Sequence, residues 1–571
     1  MFVDPPCSLI PHIPHIAPRL PEGIQQAFFL VRSCIAAATL LAGAQTFPAY
    51  AQAQTQTPAQ NTARVGGASL PSLGDNSELS AAAERRIGDR IAASIYRDPD
   101  YVDDPVLVDY VQGIWQPLMT AARARGELNA ELQERFAWQV FLVRDRTVNA
   151  FALPGGYFGV HLGLVSTVSN RDELAAVLGH EMSHVTQRHI SRLLAKQSQQ
   201  APWLIGAMIL GALAASKNPQ AASAAIVGGQ AVAAQTQLDF SRDMEREADR
   251  IGFGVMVDAG FQAKGVVSMF EKLQQASRLS DNGSFPYLRS HPLNTQRMGE
   301  AQARLQLVPA GASGDANAGK GDATQALFLH AMMAARARVL TEPGSDVLRP
   351  LVLEADRLAS TAQSAASLNT RSAGALYAGA LGAAKLRDFD KAKALVGKLQ
   401  SLAANAINPA SAGSPGSPSI RQAVELLSLE VDLLAGKVPA AAAFVDLNQA
   451  SLRADLLIKA RAVLAAGRAK DASDRLSTWA ALHPKDAAAW QLLAAAYGGQ
   501  GQNVRAIRAD AESRVAELDY LGALDRFKAA QAMMRSQPGS ADFMEGSIID
   551  TRTRQVELLA REQALQDKVD R

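Results

Sequence analysis

Residues 148–187 constrain the fold of this chain most strongly, because they predict two strands, a tight turn and a capped helix in direct succession. The stretch VNAFALPGGYFGVHLGLV has two apolar segments on either side of a turn-forming Pro-Gly-Gly triplet. A further strand is predicted just before it, over residues 136–144. Asn170 then stands at a helix N-cap position, with Glu173 three residues later at the spacing of a capping box. The residues that follow are therefore predicted to lie inside a helix.

Two histidines in this predicted helix, His180 and His184, are four residues apart and share one helical face. Both imidazoles can therefore bind one metal ion, and Glu181 between them can reach a water molecule at that metal. The pattern also occurs by chance in chains of this length, so it needs a third ligand to be decisive.

A second predicted helix supplies that ligand. A catalytic zinc ion needs three protein ligands and one open position. FSRDMEREADRIG (240–252) offers Glu245 as the third ligand and Asp249 one turn later, where its carboxylate can accept the second ring N–H of a ligand histidine. The alternative is that these acidic residues form a solvated helix face. A structural zinc would need four closed ligands, usually with cysteine, so the donor set favours catalysis.

The overall composition narrows the class of protein. Apolar residues make up 48% of the 571 residues and charged residues 20%, with a formal net charge of +2. This balance is typical of a globular protein and argues against a nucleic-acid binder. Residues 1–51 have the features of a cleaved signal peptide, and both cysteines, Cys7 and Cys34, lie there. The alternative is an uncleaved amphipathic N-terminus.

The rest of the chain is predicted to be mainly α-helical. We expect a flexible leader over residues 52–78, a zincin-like α+β metallopeptidase domain with a small sheet over 79–306, a linker over 307–325 and an all-α region over 326–571. The apolar stretch 202–215 is too short to cross a bilayer and is predicted to be a buried or interfacial helix, so the mature chain has no integral membrane span.

The all-α region shows tetratricopeptide-like spacing. Trp490, Leu493, Tyr497 and Ala506 fall at the spacing of such a repeat. One repeat earlier, Ala472 and Leu476 take the small and large packing positions and Pro484 takes the closing proline position. The register is partial, and the alternative is a generic alanine-rich helical bundle.

The motif His180-Glu181-x-x-His184 followed by Glu245-x-x-Ala248-Asp249 resembles the gluzincin metallopeptidases related to the CAAX prenyl protease and the HtpX heat-shock protease. With a signal peptide and a tetratricopeptide-like tail, the chain is most similar to the periplasmic branch of that family. The resemblance implies one Zn²⁺ per chain, bound by the two histidines and Glu245, with Glu181 as the catalytic acid and base.

The same resemblance concerns His291, which stands in a His-Pro loop. In this branch such a histidine can fill the open zinc position and hold the enzyme latent, so His291 is a candidate regulatory fourth ligand; the alternative is a solvent-exposed loop histidine. The tail of this branch carries a disulfide, and this chain has no cysteine after residue 51, so partner recognition by the tail is not carried over.

Two other histidines are predicted not to bind the metal. His189 lies five residues after His184, roughly 140° around the helix, and is predicted to have a supporting role. His161 is predicted to pack in the strand before the site. The candidates for stabilising a developing oxyanion are Tyr287, Arg242 and Arg297.

Together these features predict a periplasmic zinc endopeptidase, peripherally associated with the outer membrane. Its expected substrates are unfolded or misassembled envelope proteins, and its expected partner is the outer-membrane β-barrel assembly machinery, docked by the repeat region. The strand in GYFGVHLG is a candidate for pairing with a substrate backbone. The alternative is a non-proteolytic tetratricopeptide chaperone or scaffold with a structural or vestigial metal site.

Overall fold

The sheet forms from the strands that the sequence predicts. A computed structural model describes residues 79–196, 242–279, 285–309, 320–361, 370–406, 419–437, 445–536 and 542–569. The strands are β1 (Tyr101–Val102), β2 (Gln139–Val143), β3 (Ala150–Leu153) and β4 (Tyr157–His161), in the order β1-β2-β4-β3. Strands β3 and β4 form an antiparallel hairpin whose turn has Gly155 and Gly156 at φ 73° and 80°. This left-handed backbone favours glycine, which explains the Pro-Gly-Gly signal.

The suggestion that β4 pairs with a substrate is wrong. β4 lies inside the sheet, parallel to β2 on one side and antiparallel to β3 on the other, so its backbone groups are already paired. Among the described residues, the strand with an open side at that end of the sheet is β3. Sequence could not reveal this order, because the parallel β2–β4 pairing forms between strands that are not adjacent in the chain.

The N-terminal part of the described chain contains the sheet and ten helices. The helices are α1 (Ala81–Tyr96), α2 (Pro105–Ala124), α3 (Ala130–Arg135), α4 (Leu162–Thr167), α5 (Arg171–Thr186), α6 (His189–Lys196), α7 (Arg242–Asp258), α8 (Lys264–Leu279), α9 (Tyr287–Ser290) and α10 (Thr295–Leu307). Trp115 of α2 is fully buried against Phe158 of β4, with ring centroids 4.5 Å apart. Burying these two aromatic side chains fixes the sheet against α2.

The remaining described residues are helical, as predicted. The α-helices are α11 (Lys320–Thr341), α12 (Ser345–Thr361), α13 (Thr370–Lys385), α14 (Phe389–Ala406), α15 (Ile420–Leu434), α16 (Arg453–Ala465), α17 (Ala469–Leu482), α18 (Ala487–Gly499), α19 (Asn503–Ala516), α20 (Tyr520–Ser536) and α21 (Phe543–Val569), with a 3-10 turn at Leu447–Gln449. The predicted linker 307–325 overlaps a helix of the structure at each end, because α10 reaches Leu307 and α11 begins at Lys320. Helix-forming residues such as Ala323, Gln325 and Leu327 explain the early start of α11.

The repeat-like residues lie where a helix–turn–helix unit would place them. Leu476 of α17 and Leu493 of α18 are buried, and Pro484 lies in the turn between these helices. Tyr497 is nearly buried near the end of α18, and Ala506 lies on α19. The helical arrangement agrees with the predicted fold class, and the tetratricopeptide identity stays a prediction.

Two arginines, one buried and one half-buried, join these helices to the junction of β1 and α2. Arg336 of α11 donates to both oxygens of Asp104, at 2.7 and 2.6 Å, and also contacts Glu430. Arg453 of α16 donates to both oxygens of Asp103 at 2.7 Å. Two consecutive aspartates therefore each hold an arginine from a different C-terminal helix, in the bidentate geometry that makes such pairs specific.

Asp109 of α2 makes a third connection, at the N-terminus of α16. The N-cap residue of that helix, Leu452, has no side chain able to cap it, and the Ala454 N–H donates instead to Asp109 Oδ2 at 2.7 Å. Burial raises the pKa of Asp109 to about 6, although this hydrogen bond acts in the opposite direction.

This shift predicts a pH-dependent stability. A carboxyl group whose folded-state pKa is raised stabilises the fold below its unfolded pKa of about 3.9, and that stability is lost as the pH rises through about 6. We expect Asp109→Asn to raise the free energy of unfolding by about 3 kcal/mol above pH 7 and to leave it unchanged below pH 4, because two pKa units correspond to about that energy. Urea titrations at several pH values measure the difference. Asp525→Asn, at an exposed position of α20, is the control and should show no such gain; an equal gain for both variants would contradict the assignment.

Several predictions fall outside the described residues. These are the signal peptide 1–51, the leader 52–78 and the apolar helix 202–215. Within the described ranges, no helix has the length and apolar character required to cross a bilayer.

Candidate metal centre

Helix α5 begins at the predicted cap. The Asn170 side chain accepts hydrogen bonds from the backbone N–H groups of Asp172 and Glu173. Glu173 Oε2 in turn accepts from the Ser169 N–H at 2.7 Å, one residue before the position that a capping box uses. From this start, α5 runs through the interior and both of its histidines are buried.

Glycines allow the third-ligand helix to approach α5 closely. A Cβ atom on Gly252 of α7 would lie 2.9 Å from the backbone carbonyl group of Gly179 on α5, so only glycine permits this contact. Glu245 lies about two turns before Gly252 on α7. The contact therefore brings the Glu245 carboxylate next to the two histidines.

Four side-chain donor atoms converge in this interior. The ligand atoms of His180, His184, Glu245 and His291 all lie within 4.8 Å of one another. The two histidine Nε2 atoms are 3.0 Å apart, and Glu245 oxygens lie 3.5 Å from His180 Nε2 and 3.4 Å from His184 Nε2. His291 Nδ1 is 3.3 Å from His180 Nε2 and 2.9 Å from Glu245 Oε1.

Three of these separations, at 3.3, 3.4 and 3.5 Å, fit a zinc ion, and the other two, at 2.9 and 3.0 Å, are slightly shorter. Bonds of about 2.0–2.2 Å to a tetrahedral ion place its ligands about 3.3–3.6 Å apart. Imidazole nitrogens with one carboxylate oxygen are also a donor set that zinc accepts.

Charged neighbours orient the donors. Asp249 Oδ1 lies 3.0 Å from His180 Nδ1, at the place predicted for a carboxylate partner. Arg297 donates to both oxygens of Asp249, at 2.7 and 2.8 Å, and its Nη1 lies 2.8 Å from Glu245 Oε2. Burial favours a neutral His180, but the Glu245 and Asp249 carboxylates outweigh it and raise the pKa of His180 to about 10.

Glu181 lies beside the donor set and outside it. Its side chain is buried, and its Oε1 atom lies 3.4 Å from His291 Nε2. Burial raises the pKa of Glu181, which makes its carboxylate a stronger base than an exposed glutamate. Tyr287 stacks on His291 with ring centroids 4.7 Å apart. Burial also raises the pKa of Tyr287 well above its usual value, so its hydroxyl stays a hydrogen-bond donor.

Residues 119–305 match the profile of peptidase family M48. We call this segment, which is similar to that family, the M48 domain. All four donors, Glu181 and Arg297 lie inside the matched segment, so the M48 domain contains the whole candidate metal centre.

Relatives with known names support the same assignment. The chain is 30% identical over 275 residues to the beta-barrel assembly-enhancing protease of Escherichia coli (strain K12), a match covering 48% of this chain and 52% of that protein. It is 29% identical over 482 residues to the beta-barrel assembly-enhancing protease of Yersinia pestis, covering 82% and 87%. A mitochondrial metalloendopeptidase of Arabidopsis thaliana is 31% identical over 164 residues, covering 29% of this chain and 31% of that protein. The chain thus spans about half the length of the E. coli relative.

The M48 domain also contains residues whose roles sequence reasoning missed. Arg297 was a candidate for oxyanion stabilisation, but it is bound to two carboxylates of the centre. Arg242 is exposed, which leaves Tyr287 as the remaining candidate. Glu247, two residues after Glu245, gave no signal in the sequence, and its side chain contacts His189 and Arg192 of α6.

The other two histidines have separate places in the M48 domain. His161 is buried with its Nδ1 atom 2.9 Å from Thr147 Oγ1, away from the donor set. His189 is buried against His184 and is not one of the four converging donors.

Proposed function

We propose that this protein is a periplasmic zinc-dependent endopeptidase that degrades misfolded or stalled envelope proteins and assists outer-membrane β-barrel assembly. One observation carries the peptidase part of the proposal: His180, His184 and Glu245 converge in an M48 domain with Glu181 buried beside them. The names of the relatives support the assembly part, and the predicted signal peptide supports the location.

In this proposal His180, His184 and Glu245 hold the zinc ion, and Asp249 and Arg297 keep two of these ligands in place. A zinc ion held by these residues would supply a water molecule of lowered pKa and a polarised peptide carbonyl. Glu181 takes a proton from the attacking water at its carboxylate and returns it to the leaving amine nitrogen. Tyr287, whose hydroxyl stays protonated, is positioned to donate to the developing oxyanion.

The sheet supplies a route for the substrate. β3 is the edge strand beside α5 in the described part of the chain, so an extended substrate can add to it through backbone hydrogen bonds. Such pairing uses the substrate backbone and depends little on its side chains. It therefore suits unfolded or misassembled proteins, in which the backbone is accessible.

The C-terminal helices are the proposed docking region for clients and for the assembly machinery. A cleft of about 570 Å³ lies between the helices α16 to α18 on one side and α2 with strands β1 and β2 on the other. Its lining includes the Trp479 and Tyr101 rings and the Gln112 and Gln139 amides. Aromatic and amide groups bind extended polypeptide well, so the cleft favours a protein ligand.

The proposal has a direct test. The full chain loaded with zinc should cleave an unfolded protein such as casein, and Glu181→Gln should not. Absence of casein cleavage by both the zinc-loaded parent protein and the zinc-loaded variant His291→Ala would rule out the endopeptidase assignment.

His291 is the proposed restraint on this activity. Its Nδ1 atom faces the donor set while its Nε2 atom faces Glu181, so one ring fills the fourth ligand position and covers the general base. We expect His291→Ala to raise casein cleavage and self-cleavage several-fold without raising zinc content. In this variant the fourth ligand position would be open without any movement of the loop that carries residue 291. Rates of casein cleavage and zinc per chain measure this.

The chain offers a matched control for this variant. His483 also precedes a proline, but it is exposed in the turn between α17 and α18. His483→Ala should leave cleavage at the parent rate. Unchanged or lower activity in His291→Ala would remove the proposed restraint.

A further inference from the structure

The helix breaks between α5 and α6, a few residues after the second histidine of the metal centre. Arg188 adopts φ 52°, a left-handed conformation that is strained for any residue except glycine. Its guanidinium holds this conformation by binding Glu84, the Leu79 carbonyl and Ser191 Oγ. Strain that is stabilised in this way beside a reactive centre indicates a geometric requirement there.

The break at Arg188 places the His189 ring against the His184 ring. In a continuous helix, five residues would turn His189 roughly 140° away from His184. Instead the two Nδ1 atoms are 2.9 Å apart, with ring centroids at 4.9 Å and an interplanar angle of 77°. His189 is fully buried.

The far side of the His189 ring is also fixed. Its Nε2 atom lies 3.0 Å from Glu247 Oε2, and Arg192 Nη1 lies 3.0 Å from the same oxygen. Glu247 belongs to α7, the helix that carries the proposed ligand Glu245. The contact therefore ties α6 to the third-ligand helix.

These contacts determine where the ring protons lie. The ionised Glu247 carboxylate can only accept, so His189 Nε2 carries a proton. The other nitrogen of the neutral His189 ring, Nδ1, is then an acceptor, and the proton between the two Nδ1 atoms belongs to His184. The His184 Nε2 atom is left with a lone pair directed at the donor set.

We infer that His189 is a positioning residue, which holds His184 in the orientation and tautomer that bind the metal and is itself held by Glu247 and the strained turn at Arg188. The inference rests on the proposed function, in which His184 binds zinc. The partner of His180 is a carboxylate, that of Asp249. The partner of His184 is the His189 imidazole, whose other nitrogen contacts the Glu247 carboxylate. The two ligand histidines are therefore oriented by different chemistry.

Metal affinity of the full chain tests the inference independently of catalysis. We expect His189→Phe, which keeps a planar ring and removes the acceptor, to weaken zinc binding about 10- to 100-fold in competition with a chelator. His189→Asn should recover most of the affinity, because its Oδ1 atom can accept from His184 Nδ1–H. Rescue by an acceptor is not expected of a residue that only fills space.

His330→Phe is the matched control, since His330 is also buried but bonds to Tyr110 and the Val168 carbonyl, away from the centre. It should lower the unfolding temperature without changing zinc affinity. If His189→Phe does not fold, Glu247→Leu serves instead, because Glu247 is partly exposed and its loss should still weaken zinc binding several-fold.

Three results would overturn the inference: parent zinc affinity in His189→Phe, no recovery in His189→Asn, or parent affinity in Glu247→Leu. Failure of the proposed function looks different. If the parent chain and His291→Ala both bind zinc but neither cleaves casein, the endopeptidase assignment is removed and the role of His189 in metal binding stays intact.

Discussion

Glu181→Gln should lower casein cleavage about 10²- to 10⁴-fold, the contribution typical of a general acid–base residue. Glutamine has almost the same size and shape as glutamate, but its amide cannot take a proton from the attacking water. Zinc content should stay at the parent value, because Glu181 is not among the four converging donors. Initial cleavage rates and zinc per chain, measured on the same preparation, separate loss of chemistry from loss of metal.

A control variant must show that the loss of cleavage comes from the position of Glu181 and not from replacing any buried glutamate. Glu512 is also buried, on α19, where it pairs with Arg552 far along the chain from the metal centre. Glu512→Gln should keep the parent cleavage rate, even if it lowers stability. Parent-like cleavage by Glu181→Gln would show that the mechanism is wrong.

The parts of the centre that the sequence predicted depend on local signals. The Pro-Gly-Gly turn identified the β3–β4 hairpin, and Asn170 identified the start of α5. Helical periodicity then placed His180 and His184 on one face, since spacing along a helix directly fixes direction around it. The structure brings these histidines together with Glu245 and His291.

The parts that sequence reasoning missed depend on long-range packing. His189 contacts His184 only because Arg188 breaks the helix in a left-handed conformation, and arginine gives no turn signal at that position. Arg297 reaches Glu245 and Asp249 from a different helix. Such contacts depend on how helices are arranged in space, which neither hydrophobic period nor motif spacing specifies.

Long-range packing also explains why the sequence did not predict the contacts between the two halves of the chain. Asp103 and Asp104 show no feature in the sequence that would mark them as binding sites for arginine. Their partners, Arg453 and Arg336, lie more than 200 residues later in the chain. A domain boundary predicted from composition therefore cannot show whether the helices beyond it pack on the metallopeptidase domain.

Among changes at the metal centre, we expect replacement of both ligand histidines to have the largest effect, because it removes the metal. We expect one zinc ion per parent chain and none in the double variant His180→Ala, His184→Ala, because only one of the three proposed resident ligands, Glu245, remains. Casein cleavage should disappear with the metal. Elemental analysis measures the zinc, and stoichiometric zinc in the double variant would refute the assigned ligand set.

Thermal unfolding distinguishes loss of the ligands from loss of the fold. A metal that binds only the folded chain stabilises it by about 4 kcal/mol when its free concentration is 1,000 times the dissociation constant. Adding zinc should therefore raise the unfolding temperature of the metal-free parent and leave that of the double variant unchanged. The double variant should still fold, because the Arg297 contacts with Glu245 and Asp249 do not depend on either histidine. If zinc raised both unfolding temperatures equally, the ion would be bound elsewhere, and the convergence of these four side chains would need another explanation.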